Sequence, residues 1–268
     1  MPIDAKVFGL IMTPSLLAWI VFIYRKRRGQ SFLPMEPQIA ASWNLFTPTL
    51  AAFWLSLNLV SIIATWVLPS SVNAEAKPVP SLQSLQTMCF LKSFWLVILI
   101  PALCSLDATK LRDFGIRRTQ LARQTIDGVF AFLLSLLPVY AVLLATASLR
   151  SPDSEHEFLQ LLRADNRVEV IAWLALGAVI LAPMAEELIF RVILQGWLST
   201  RLPVWLSIGI TSLAFSMIHG FPDMLPLLPL SIMLGYVFHR RNSYWATVFA
   251  HALFNLQNVV LTLVSENQ

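Results

Sequence analysis

Ionisable side chains are scarce in this chain. Asp, Glu, Lys and Arg make up 13% of its 268 residues, against 57% hydrophobic residues. That balance is too apolar for a soluble domain of this length and points to an integral membrane protein. The net charge is only +4, and no basic patch interleaved with exposed aromatics argues for nucleic acid. Anchoring loops at the cytoplasmic face account for the basic excess, and nine Trp and seventeen Phe suit a lipid-facing surface with interfacial belts. Cysteine is nearly absent. Cys89 and Cys104 fall in one apolar run, where a helix separates them by about 22 Å, beyond disulfide reach. No internal repeat or low-complexity tract stands out. A cleavable secretory signal is not expected either: the first apolar run, 7–24, is followed by Arg25-Lys26-Arg27-Arg28 and not by a small-residue cleavage site. We read it as a retained anchor helix.

What remains is hydrocarbon-length apolar sequence. At about 20 residues per span, the candidates are 7–24, 45–68, 88–105, 126–148, 168–191, 203–220, 224–240 and 243–264. The expected fold is therefore an all-α, polytopic transmembrane helix bundle of about eight spans. Polar residues collect in the linkers 25–38, 70–84, 107–124 and 150–167. Alternating the spans gathers 13 of the 19 Lys and Arg on one side, which the positive-inside rule makes cytoplasmic, with both termini outside. Segments 203–220 and 224–240 are joined only by Phe221-Pro222-Asp223, and the second contains Pro226 and Pro229. Such a hairpin need not reach the far interface, and His219 would then lie deeper than a straight helix places it.

Against this background, Glu186-Glu187-Leu188-Ile189-Phe190-Arg191 stands out, because ionisable groups at membrane depth are costly and therefore functional candidates. On a helix Glu187 and Arg191 share a face, whereas Glu186 is rotated by about 100°. Glu187 is expected to pair with Arg191, leaving Glu186 to act on water. Two further pairs, Phe215 with His219 and His251 with Asn255, have the four-residue spacing of one helix face. Each residue also has a plain reading: the carboxylates as a structural charge cluster, the histidines as hydrogen-bonded packing residues, Asn255 as a bridge between helices, Phe215 as a packing wall. Together, Glu, two His and Asn supply a base, a proton carrier and neutral donors, the parts a hydrolase needs.

The remaining polar residues carry less. His239 precedes Arg240 and Arg241 at a helix end and reads as interfacial. Asp153, Glu155, His156 and Glu157 lack the ordered spacing of a metal loop. Ser212 and Ser216 are framed by no nucleophile elbow, so a serine nucleophile is not supported. The H-E-x-x-H pattern of common zinc proteases is absent.

The three motifs, in this order across 70 residues, resemble those of the CPBP family of intramembrane proteases, which groups CAAX prenyl endopeptidases with bacteriocin-processing and abortive-infection proteins. The first is the double glutamate with arginine four positions after the second, Glu186-Glu187-Leu188-Ile189-Phe190-Arg191. The second is Phe215-Ser216-Met217-Ile218-His219 and the third His251-Ala252-Leu253-Phe254-Asn255. Upstream, Asp113-Phe114-Gly115-Ile116-Arg117-Arg118 is similar to the family's lead-in to its core. The resemblance divides the chain into N-terminal helices and linkers, 1–112, and a catalytic core, 113–268. It implies a bundle with an intramembrane polar cavity. There Glu186 and His219 activate water, His251 and Asn255 stabilise the oxyanion, and Arg191 orders Glu187, beside the packing residue Phe215.

Two chemistries fit that implication. A metal-free glutamic mechanism is ranked first, and zinc ligation by Glu186, His219 and His251 is the alternative. The expected function is an intramembrane endopeptidase acting on a membrane-associated protein or peptide within the lipid bilayer. Nothing in the chain identifies a prenylated substrate. The rival is a non-catalytic membrane adaptor that assembles a larger membrane complex. A transporter is a weaker rival, since no inverted repeat supports it.

Overall fold

In lipid every backbone polar group must be satisfied within the protein, and a long apolar segment meets that demand as a helix. The computed structural model describes residues 5–37, 43–67, 81–105, 110–150, 157–165 and 167–266, and among them every regular element is helical. Nine helices follow in order: α1 Ala5–Arg27, α2 Phe46–Val67, α3 Leu82–Cys104, α4 Leu121–Ala145, α5 Glu157–Ala164, α6 Val168–Ser199, α7 Val204–Met217, α8 Met224–Arg241 and α9 Tyr244–Glu266.

Six of the expected spans, α1, α2, α3, α4, α6 and α9, are long and apolar enough to cross a bilayer. The other two form the short hairpin. α7 has 14 residues, and α8 has 18, with Pro229 inside and His239-Arg240-Arg241 in its last turn. The bundle's outer faces carry exposed Leu10, Phe90, Val97 and Leu144, apolar surface suited to contact with lipid. Cys89 and Cys104 are free thiols.

Two helices organise the packing. α4 lies against α1, α8 and α9, whereas α6 lies against α2, α3, α7 and α9. The core around α6 draws Trp54 from α2, Leu96 and Leu99 from α3, Phe190 from α6, Phe215 from α7 and Val248 from α9. The N-terminal helices thus share a core with the motif-bearing ones. Close approach depends on small residues. A Cβ on Gly128 would come within 2.7 Å of the Ala246 carbonyl oxygen, and one on Gly177 within 2.7 Å of Met88 Cε and 2.8 Å of Cys89 Sγ.

The basic lead-in segment fastens the α8–α9 turn. Arg117 donates to the carbonyls of Arg241 and Asn242, cation against helix C-terminus, and the buried Arg241 pairs with Asp127 and Glu36. In the connector before α6, a side-chain hydrogen bond from Arg167 holds the Asp165 carboxyl below its ordinary pKa. Asp153, Glu155 and His156, and most of the linker 70–84, lie outside the described residues.

Candidate active site

The acidic pair sits on a short α-helical turn, Ala182–Glu187, between two π-helical stretches, Ala175–Leu181 and Leu188–Gln195. Pro183 accounts for part of this. The Ala182 N–H bonds the Gly177 carbonyl, five residues back, so in that register the Ala178 carbonyl would look to residue 183. Proline has no N–H. Asn255 supplies the missing donor from α9, its Nδ2 lying 2.7 Å from the Ala178 oxygen. π-Turns of this kind concentrate at functional sites.

Glu187 and Arg191 pair within α6, Oε2 to Nε 3.2 Å, and are 0% and 1% exposed. Arg191 Nη2 donates to the Ser231 carbonyl and hydroxyl at 3.2 and 3.0 Å, and Gln195 repeats the link one turn on by donating to the Gly235 carbonyl. The guanidinium also lies 4.7 Å from the Phe215 ring centroid. Arg191 is thus embedded between α6, α7 and α8. The other oxygen of Glu187 accepts from His251 Nδ1 at 2.9 Å. Tyr244 adds a hydrogen bond to the Met184 carbonyl at 2.8 Å.

Glu186 points to a different set of groups, as its rotation on the helix requires. Its Oε1 is 2.5 Å from Lys92 Nζ on α3, and its Oε2 is 4.0 Å from His251 Nε2. Its ionisable neighbours are Lys92, His251 and His219. The short hairpin does bring α7 to the site: the Phe215 ring is 4.7 Å from His219 and 5.5 Å from His251, centroid to centroid. His219 Nδ1 lies 2.8 Å from the Phe215 carbonyl. A carbonyl only accepts, so Nδ1 carries the proton and Nε2 the lone pair of the neutral ring.

The structure therefore gathers Glu186, Glu187, Arg191, Phe215, His219 and His251 into one cluster, buried except for the half-buried His219, with the half-buried Asn255 one turn beyond His251 against Ala178. It leaves His239 in the last turn of α8, against Trp205. Ser212 and Ser216 are buried on α7 with no hydrogen-bond partner for either hydroxyl among the described residues. No three His, Cys, Asp or Glu side chains among the described residues are arranged to hold a metal ion. Sequence reasoning missed Lys92, Ser231, Gln195 and Tyr244. Lys92 did leave a signal, since it is the single charged residue of α3.

Residues 168–257, a third of the chain, match the family described as type II CAAX prenyl endopeptidase Rce1-like. The match spans all three motifs and bears out the resemblance drawn from them. No curated protein and no solved structure matches the chain. The fold makes the chain a multi-pass membrane protein, and the likeness of residues 168–257 to CAAX proteases supports endopeptidase activity of the intramembrane type.

Proposed function

We propose, for a chain whose residues 168–257 carry the CAAX-type intramembrane protease pattern, that it hydrolyses a peptide bond of a membrane-associated protein or peptide with water activated by Glu186. The observation that carries the reading is the arrangement around Glu186: one oxygen bound by Lys92, the other facing His251 across 4.0 Å. That gap exceeds a hydrogen bond and suits a water held between the two groups.

Water oxygen attacks the scissile carbonyl carbon as its proton passes to Glu186 Oε2. The carbonyl oxygen becomes an oxyanion. His251, as imidazolium with Glu187 as its counter-charge, donates from Nε2, and Asn255 offers its second amide hydrogen. One such donor in a dry site is worth about 3 kcal/mol in the transition state. Collapse breaks the C–N bond, and the proton returns from Glu186 to the leaving amine. His219, its Nδ1 engaged by the Phe215 carbonyl, presents Nε2 as acceptor to the attacking water. No step needs a metal. In support, Lys92 places a positive charge against the Glu186 carboxylate, which would oppose a cation held by Glu186, His219 and His251.

The matched family is named for prenylated CAAX substrates, and that class is one to test. The experiment compares protein termini in membranes from cells carrying the native chain or Glu186→Gln at matched abundance. New termini only with the native chain establish proteolysis and name the substrate. Identical profiles, where deletion has a phenotype, would instead make the chain an adaptor in a larger membrane complex.

A further inference from the structure

Lys92 lies 94 residues before its partner Glu186 and outside the matched segment 168–257. It is the one charged side chain in the 23 residues of α3. Lysine at membrane depth is costly unless paired, and so is a carboxylate. The chain already has a complete ion pair nearby: Glu187 with Arg191 links α6 to α8 through Ser231. A second ion pair one residue away brings a different helix, α3, to the same turn.

Its geometry suggests another purpose. Lys92 engages Oε1, and Oε2 is left toward His251 Nε2. The lysine is itself held in place. Gly177 on α6 admits Met88 and Cys89, one helical turn before Lys92, and this contact sets how closely α3 approaches the acidic turn. The ammonium lies 5.7 Å from the Trp54 ring centroid, and Trp54 packs on Phe190 at 6.0 Å, inside the first motif.

We propose that Lys92 is a positioning residue of the active site, holding Glu186 so that its second oxygen faces His251 and the water to be activated. The hydrolytic unit then includes the N-terminal helices α2 and α3. This rests on the reading of Glu186 as the base.

The test uses the full-length protein in lipid nanodiscs and the peptide identified by its Glu186-dependent termini. Lys92→Met is expected to lower kcat about 100-fold, the usual cost of a misplaced catalytic group, with KM unchanged. Lys92→Arg, which keeps the charge, is expected to restore most of kcat. Native kcat in Lys92→Met, or equal losses in both variants, overturns the proposal.

Thermal unfolding of Lys92→Met, Glu186→Gln and the double variant reads the contact without any activity. A double variant more stable than the sum of the single changes predicts is the expected result, and strict additivity overturns the proposal. If the native chain shows no Glu186-dependent cleavage, the protease reading falls and with it the positioning role. Coupling in the unfolding cycle would then leave the Lys92–Glu186 contact standing as structural.

Discussion

Asn255 donates its side-chain amide to the carbonyl of Ala178, 77 residues earlier, at the one point in the π-turn where Pro183 cannot. The third motif thereby stabilises the backbone that presents the first. Asn255→Ala should leave that carbonyl unsatisfied and destabilise the protein by about 1–3 kcal/mol. Adding Pro183→Ala, which restores a backbone N–H, should recover part of the loss. Thermal unfolding of the two variants in nanodiscs checks this, and no recovery would mean that proline is not what leaves Ala178 in need of a donor.

Glu187 and Arg191 should behave as a unit. Glu187→Gln leaves a buried guanidinium without its counter-charge and should cost about 3–5 kcal/mol. Glu187→Gln with Arg191→Met removes both charges and should cost less than Glu187→Gln alone. The double variant should still be inactive, because His251 loses its carboxylate.

Gly177 sets the separation of α3 and α6. Gly177→Ala places a Cβ against Met88 Cε and Cys89 Sγ and should destabilise by about 1–3 kcal/mol, as overpacking does. Its effect on kcat should resemble a weak Lys92→Met. Cys89→Ala in the same chain removes the buried sulfur and should return part of both losses. If Gly177→Ala has native kcat, the helix approach is not limiting.

Metal removal separates the two chemistries weighed for Glu186, His219 and His251. Glu186-dependent cleavage should persist after dialysis against a zinc chelator and should not rise when zinc is returned. Loss on chelation with recovery by zinc would make those three residues ligands.

How much of this was legible follows from what each residue's partner is. The apolar runs gave the helices because hydrocarbon demands helix. The Glu187–Arg191 pair could be read because both ends lie on one turn of one helix. His219 was harder: only the shortness of α7 and the two prolines of the next segment hinted that it reaches the site. Lys92 was within reach, since a lone lysine in an apolar run begs for an anion, but which of the two glutamates it meets is set by the packing of α3 on Gly177. Asn255 could be read as a bridge between helices, though not to which partner, and the roles of Tyr244, Ser231 and Gln195 left no such trace. Their partners are largely backbone carbonyls, which every residue has, and Arg191's bond to Ser231 depends on how α6 and α8 cross.

The 94-residue separation of Lys92 and Glu186 also has a history during synthesis. A ribosome adding about 10 residues per second leaves roughly ten seconds between them. Through that interval α3 enters the bilayer with an unaccompanied cation, which its long aliphatic stem lets it carry toward the interface. The arrival of α6 would supply its counter-charge. Helix insertion and assembly of the active site would then be completed by the same contact.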